Sequence, residues 1–104
     1  MTPNLLVVQA LAALVFCLGV AVVLTRRNLF FTLMGVELSI NAANLAFVGF
    51  ARSLPGTASM SGQVVPLFAI AIAAAEACVG LAMVILIYRA RESLDSESLA
   101  DLKE

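Results

Sequence analysis

Ionisable side chains are scarce in this sequence. It contains no His and no Trp, charged residues make up 12% of it, and its formal net charge is −1. Without His there is no imidazole for metal binding or acid–base catalysis, and without a basic surplus there is no electrostatic footprint for nucleic acid. The two cysteines, Cys17 and Cys78, stand alone in apolar runs without a C-x-x-C pair. We therefore expect them to be small buried hydrophobic side chains, with no disulfide or metal-binding role.

The chain consists mainly of long apolar segments. Of its 104 residues 62% are hydrophobic and its mean hydropathy is +1.06, which leaves too little polar surface for a soluble domain of this size. Its apolar residues form three blocks, at 5–24, 29–50 and 64–88. A helix needs about 20 residues to cross a hydrocarbon core about 30 Å thick. The sequence predicts an all-α integral membrane protein with three transmembrane helices, forming a single membrane unit over 1–104.

The segments outside these blocks are short and polar. A tight link at 25–28 joins the first two blocks, and a loop rich in Gly, Ser and Pro is predicted at 51–63. This loop would place Pro66 in the first turn of the third helix, where a missing N–H does no harm. The tail at 89–104 is charged and mostly acidic towards its end, so we expect it to be solvated or bound to a partner.

The placement of arginines predicts the orientation in the membrane. Lys and Arg near the ends of spans tend to stay in the cytoplasm. Four arginines belong to one end of the predicted spans, whereas Arg52 is alone at the other end. The four are Arg26 and Arg27 in the first link, with Arg89 and Arg91 after the third block. We therefore predict an amino terminus outside and a cytoplasmic carboxy terminus.

Two glutamates interrupt the apolar blocks close to their centres. Glu37 lies about 12 Å from one end of its block and about 20 Å from the other, and Glu76 lies about 18 Å from both ends of its block. Placing an ionisable side chain at that depth is costly in free energy. Because burial disfavours the charged form of a carboxyl, such a group can take up and release a proton as its hydration changes. A proton relay requires this property.

The helical neighbours of the two glutamates differ in character. Asn41 and Asn44 fall about 40° and about 20° from Glu37 around the second helix, so this face carries a carboxyl and two amides. Such a face is expected to meet a polar helix or a water-filled cavity. Glu76 shares its face with residues that allow either close helix approach or a water pocket. These residues are Ala69, Ala73, Gly80 and Met83.

Less specific interpretations of these polar residues remain open. The glutamates can be static groups, neutral or paired, that pin helices together; because no Lys or Arg lies inside the blocks, an ion-pair partner has to come from another chain. The asparagines can be simple interhelical hydrogen-bonding groups. Arg26 and Arg27 can anchor the link on lipid phosphates or contact a partner subunit.

Five segments carry a resemblance to a known family. They are V-L-T-R-R-N at 23–28, G-V-E-L-S-I-N-A-A-N-L at 35–45, G-Q at 62–63, A-A-A-E-A-C-V-G-L-A at 73–82 and I-Y-R at 87–89. With this pattern the chain resembles subunit K of the proton-pumping NADH:quinone oxidoreductase, respiratory complex I, whose mitochondrial counterpart is the 4L subunit. The resemblance spans almost the whole chain, but the tail beyond Arg91 matches no motif.

The resemblance implies a membrane-arm subunit of the bacterial inner (plasma) membrane. Its neighbours would be the lipid bilayer and the J-, A- and N-type subunits. In the family, two intramembrane glutamates belong to the chain of buried ionisable groups that links quinone reduction to proton translocation. The resemblance places them at Glu37 and Glu76, and the family's cytoplasmic arginines at Arg26 and Arg27.

The resemblance further implies a translocase subunit without a catalytic centre of its own. NADH, FMN, the iron–sulfur clusters and quinone would all belong to other subunits. Two rival assignments remain. One is the C-type subunit of a multi-subunit sodium/proton antiporter, a related three-helix family that lacks the second carboxylate. The other is a structural membrane adaptor, which would leave both glutamates unexplained.

Overall fold

Three α-helices form the described part of the chain. The computed structural model describes residues 3–103, with side chains over 4–92. Helix α1 is Pro3–Thr25, α2 is Leu29–Arg52 and α3 is Gly56–Lys103, and no strand occurs within the described residues. All three helices are long and apolar enough to cross a membrane. The predicted all-α architecture with three spans is therefore confirmed.

Capping hydrogen bonds shape the tight link between α1 and α2. At the end of α1, Thr25 Oγ1 donates to the carbonyl oxygen of Ala21 at 2.6 Å. Asn28 is the N-cap of α2, and its Oδ1 accepts from Phe30 N at 2.9 Å. An Asn at this position satisfies a backbone N–H that has no partner within the helix. The chain therefore reverses direction within three residues.

The connection between α2 and α3 is shorter than the loop predicted at 51–63. Helix α2 continues to Arg52, and α3 begins at Gly56. Gly56 has a φ of 56°, a left-handed conformation that glycine adopts without strain. The prediction of a loop up to residue 63 is wrong because Pro55 and Gly56 supply the chain break, and nothing in 57–63 blocks a helix.

Pro66 consequently lies inside α3 and not in its first turn. A proline removes one N–H and crowds the carbonyl four residues earlier, which belongs here to Gly62. Gly62 lies against α2, since a Cβ on it would come 2.9 Å from Ala51 Cβ. Pro66 is buried, and it is one turn from Gly62. The proline therefore lies on the side of α3 that faces α2.

The helices lie side by side in one layer. Helix α2 contacts both α1 and α3, whereas α1 and α3 do not contact each other within the described residues. The molecule measures 74 × 24 × 10 Å. A layer one helix thick leaves two broad faces, on which most large apolar side chains are exposed. In a bilayer such faces meet lipid or the helices of other subunits.

Small residues bring α1 and α2 into close contact along what we call the α1–α2 seam. A Cβ on Gly35 would lie 2.8 Å from the Gly19 carbonyl oxygen, and a Cβ on Gly19 would lie 2.7 Å from the Gly35 carbonyl oxygen. Ala12 and Ala42 are 3% and 2% exposed. Since hydrophobic burial does not drive helix association in lipid, such close backbone approach is the main source of attraction.

Both cysteines lie on the exposed surface of the layer. Cys17 and Cys78 are free and exposed, so the expectation that they are buried is wrong. Each seam buries few positions, such as Ala73 and Val84 on α3, and neither cysteine is among them. A three-helix layer has too small an interior to enclose every small apolar side chain.

Candidate functional site

The register between α2 and α3 follows from close contacts along their line of meeting, the α2–α3 seam. A Cβ on Gly80 would lie 2.9 Å from Leu33 Cδ1, and the contact of Gly62 with α2 gives the same register. Because the two helices are antiparallel, the residue four positions after Leu33 is level with the residue four positions before Gly80. Glu37 and Glu76 therefore lie at the same depth.

Glu37 lies in a groove along one side of the α2–α3 seam. Its side chain is half-buried, and Asn41 lies one turn further along the same groove. The other lining residues are apolar: Phe30, Leu33, Met34, Leu38, Ala77 and Leu81. The groove thus presents one carboxyl and one amide in otherwise apolar surroundings.

Asn44 lies within the seam itself. Its Nδ2 atom is buried and has no hydrogen-bond partner among the described residues. By the register above, Asn44 is level with Ala69 of α3. The predicted polar face of α2 thus turns towards the small apolar residues of α3, and not towards a polar helix of this chain. A buried amide donor ordinarily has a hydrogen-bond partner, and the described residues supply none.

Glu76 opens on the opposite side of the same seam. Ala73 faces α2 and is 6% exposed. Around α3, Ala77 lies about 40° to one side of Ala73, and Glu76 lies about 60° to the other side. Ala77 lines the groove that contains Glu37, whereas Glu76 is exposed and does not line it. The two carboxyls are therefore level with each other but open on opposite faces of the layer.

The small residues near Glu76 serve helix packing. Ala73 is buried and Ala69 and Gly80 are half-buried on the side facing α2, while Met83 is 57% exposed. Of the two possibilities that the sequence left open, close helix approach is the one these small residues provide. They do not enclose the Glu76 carboxyl.

Neither glutamate has an internal partner. Within residues 4–92, no hydrogen bond or ion pair reaches the carboxyl of Glu37 or Glu76. The same part of the chain holds no group of three His, Cys, Asp or Glu side chains that could bind a metal ion. Both carboxyls are therefore free to interact with groups on neighbouring chains.

Aromatic contacts hold the end of the third apolar block beside the link between α1 and α2, at the end of the layer that carries four arginines. Tyr88 stacks on Phe30 with ring centroids 5.6 Å apart, and its hydroxyl donates a long hydrogen bond of 3.5 Å to Asn28 Oδ1. These contacts bring the end of the third apolar block beside the link between α1 and α2. The arginine-bearing end of the layer therefore carries Arg26, Arg27, Arg89 and Arg91.

Some polar side chains in or near the seams were not predicted from the sequence. Gln9 Nε2 donates to the carbonyl oxygen of Ala46 at 2.9 Å across the α1–α2 seam. Ser39 Oγ is buried in the same seam without a hydrogen-bond partner among the described residues. The N-cap at Asn28 has a local signal, an Asn directly before an apolar run. The positions of Gln9 and Ser39 depend on packing between helices and have no such signal.

Comparison with protein families gives a match over nearly the whole chain. Residues 7–104 match the family described as NADH-ubiquinone/plastoquinone oxidoreductase chain 4L. The matched range contains both intramembrane glutamates and the arginines of the first link.

Curated relatives are similar over most of their length. The chain is 50% identical over 93 residues to NADH-quinone oxidoreductase subunit K of Myxococcus xanthus, covering 89% of this chain and 90% of that protein. It is 47% identical over 92 residues to NADH-quinone oxidoreductase subunit 11 of Thermus thermophilus, covering 88% and 93%. It is 46% identical over 93 residues to the chloroplastic NAD(P)H-quinone oxidoreductase subunit 4L of Chlorokybus atmophyticus, covering 89% and 91%.

Proposed function

Because the chain belongs to the chain 4L family of NADH-ubiquinone/plastoquinone oxidoreductases, we propose that Glu37 and Glu76 relay protons within the membrane arm of such a complex. The relay couples quinone reduction to proton translocation. The observation that carries the proposal is the pair of carboxyls at one depth in apolar helices, neither of which has a partner within residues 4–92. Placing an ionisable carboxyl inside the membrane is costly, and intramembrane carboxyls that are retained mark ion pathways and proton relays.

The positions of the carboxyls on opposite faces support a relay that passes through this subunit. Glu37 opens into the groove on one face, and Glu76 opens on the other. A proton that passes between Glu37 and Glu76 is transferred from a subunit on one face of the layer to a subunit on the opposite face. Glu37 therefore exchanges protons with a different neighbouring subunit from Glu76. We assign one face to the J- and A-type subunits and the opposite face to the N-type subunit.

The amides of α2 support the carboxyl beside them. Asn41 shares the groove with Glu37, and the buried Nδ2 of Asn44 requires a hydrogen-bond partner. We assign to both asparagines the role of holding water or a neighbouring polar group near Glu37. Amide groups can donate and accept hydrogen bonds but do not titrate, so they orient a proton path without storing the proton.

The proposal also includes the orientation of the chain in the membrane, the membrane in which it lies and the subunits that bind the cofactors. The arginine-bearing end, with Arg26 and Arg27, faces the cytoplasm, and the amino terminus lies outside. The chain lies in the bacterial inner membrane. NADH, FMN, the iron–sulfur clusters and quinone are bound by other subunits, so this chain contributes proton passage alone to the oxidoreductase reaction.

Removing the titrating proton tests the relay. Glu37→Gln keeps the shape of the side chain but cannot ionise, so we expect NADH-driven quinone reduction and proton pumping to fall on the order of tenfold or more in inverted membrane vesicles. Glu76→Gln should act in the same way but more mildly. Glu92→Gln is the matched control, because Glu92 is an exposed carboxylate far from the other two, and it should leave both activities unchanged.

The double variant separates relay from packing. Wild-type pumping in Glu37→Gln/Glu76→Gln would contradict the relay, and loss of the subunit from the membrane arm would show that the glutamates pin helices together. The proteins that co-purify with the chain in mild detergent decide between the remaining assignments. NADH dehydrogenase subunits support the proposal, whereas antiporter subunits would favour the C-type alternative.

A further inference from the structure

We propose that the α1–α2 groove at the arginine-bearing end binds an anionic phospholipid. The phosphate lies against Arg26, and an acyl chain follows the groove towards the middle of the membrane. This groove adjoins the one that contains Glu37 on the same face of the layer, and the two share Met34 and Leu38. We call it the lipid groove; it is lined by Val22, Arg26, Phe31, Met34, Gly35 and Leu38.

The lipid groove changes from charged to apolar along its length, as a phospholipid does. Its only charged lining residue is Arg26, one position beyond the end of α1 and therefore at the level where a membrane span meets the headgroups. The remaining lining residues are apolar or glycine, and they extend about three turns into the span to Leu38. A phospholipid therefore matches both the polarity and the depth of this groove.

The guanidinium of Arg26 is held at the mouth of the groove. The Arg26 Cζ atom lies 5.4 Å from the centroid of the Phe31 ring, a cation–π contact that places the guanidinium over this ring. A guanidinium fixed in this way presents its donors to a phosphate at a smaller entropic cost than a free side chain. Phe31 and Val22 themselves line the groove, so the charge and the apolar surface form one site.

Within residues 4–92, the arginines at this end have no carboxylate partner. Four arginines lie there, and no ion pair connects any of them to a carboxylate within residues 4–92. Of the three carboxylates in those residues, Glu37 and Glu76 are near mid-span and only Glu92 lies at the arginine-bearing end. An arginine without a carboxylate partner in these residues favours an anionic headgroup over a zwitterionic one. A partner helix in the groove would satisfy the apolar lining but would have to supply its own acidic group to Arg26.

Photolabelling of the intact complex tests the proposal. The complex containing this chain is reconstituted in phosphatidylcholine vesicles doped with a phosphatidylglycerol that carries a photoactivatable group in one acyl chain, and labelled peptides are mapped by mass spectrometry. We expect label on Val22, which lines the lipid groove and not the groove that contains Glu37, together with Met34 or Leu38. Unlabelled phosphatidylglycerol should compete for this labelling, whereas additional phosphatidylcholine should not.

Substitution of the arginine isolates its contribution. Arg26→Gln should lower labelling of the lipid groove about fivefold, the loss expected for one arginine near an anionic headgroup, and Arg26→Lys should retain most of it. Arg52→Gln is the matched control, because Arg52 lies at the opposite end of the layer, and it should leave labelling of the lipid groove unchanged.

Two results would overturn the proposal. One is absence of label from the groove residues in the wild-type complex, which would mean that a neighbouring helix fills the groove. The other is equal labelling by the anionic probe and a matched phosphatidylcholine probe, which would mean that the acyl chain binds without recognition of the headgroup. Both comparisons use the wild-type complex, so they decide the question even where a variant subunit fails to assemble.

Discussion

Helix α2 packs against α1 on one side and against α3 on the other, and the two seams bury different chemistry. In the α1–α2 seam, Gly19 and Gly35 bring the backbones into contact and Gln9 donates to the Ala46 carbonyl; the buried group there without a described partner is the neutral hydroxyl of Ser39. In the α2–α3 seam, α2 contributes the Glu37 carboxyl and the buried Asn44 amide donor, and neither has a partner among the described side chains.

This difference indicates that the α1–α2 seam mainly holds the helices together, whereas the α2–α3 seam carries the groups proposed to function in proton transfer. The α1–α2 seam is held by close backbone approach, which leaves little room for an added atom. The α2–α3 seam places polar groups of α2 against alanines and glycines of α3; Asn44 is buried there, whereas the Glu37 carboxyl is accessible from a groove. We therefore expect packing changes to lower stability more in the α1–α2 seam than in the α2–α3 seam. We expect changes in polarity to lower proton pumping more in the α2–α3 seam than in the α1–α2 seam.

A methyl group added to each seam should produce the largest contrast in stability. In Gly35→Ala the new Cβ would lie 2.8 Å from the Gly19 carbonyl oxygen and 2.8 Å from Val23 Cγ2. Overpacking of this kind costs about 1–3 kcal/mol, and backbone atoms cannot move aside. We expect a lower thermal midpoint for dissociation of this subunit from the purified complex, with less assembled complex in the membrane.

Gly80→Ala is the matched change in the other seam. Its Cβ would lie 2.9 Å from Leu33 Cδ1, the far end of a flexible side chain that can rotate away. Replacing a helical Gly by Ala also reduces backbone entropy in the unfolded chain. We therefore expect little change in the dissociation midpoint. Equal destabilisation by the two variants would contradict the distinction between the seams.

The broad outline of the fold could be predicted because block length and polarity determine whether a helix can cross a membrane. The three helices follow from the apolar blocks, and the depth of Glu37 and Glu76 follows from counting residues along them. The start of α3 could not be predicted in this way, because 57–63 is compatible with either a loop or a helix. Its structure depends on the break at Gly56 and on the packing of Gly62 against α2.

The faces of the helices were much harder to predict. In a soluble protein an apolar stripe identifies the buried side, but in lipid nearly every side of a helix is apolar. The sequence therefore did not distinguish the exposed surface that carries Cys17 and Cys78 from the seams. For the same reason it grouped Glu76 with Ala69 and Ala73, although these alanines pack on α2 and the carboxyl opens beside them.

Removal of the buried amide should affect function more than stability. Asn44→Leu keeps a similar volume and eliminates an Nδ2 donor that has no hydrogen-bond partner among the described residues. Because Asn44 Nδ2 makes no hydrogen bond to another described residue, its loss breaks no bond between the helices of this chain, and the dissociation midpoint should stay about level. If Asn44 supports the relay at Glu37, proton pumping in inverted vesicles should fall severalfold in the same variant.

The opposite pattern would identify Asn44 as a packing residue. A lower midpoint with full pumping would mean that the amide bonds to a neighbouring subunit only to hold the helices together. Asn41→Leu provides a comparison, since Asn41 is exposed in the groove with Glu37 and is not buried in the seam. It should lower pumping without raising the midpoint.

The smallest effect is expected for Gln9→Leu, the corresponding change in the α1–α2 seam. This variant removes the 2.9 Å hydrogen bond to the Ala46 carbonyl, an interaction worth about 0.6 kcal/mol between membrane helices. The carbonyl keeps the donor supplied by its own helix, so the dissociation midpoint should fall slightly and pumping should be unchanged. Gln63→Leu is a suitable control, because Gln63 bonds within α3 to Ser59 Oγ and should alter neither quantity. Loss of pumping in Gln9→Leu at an unchanged midpoint would mean that the α1–α2 seam also takes part in proton transfer.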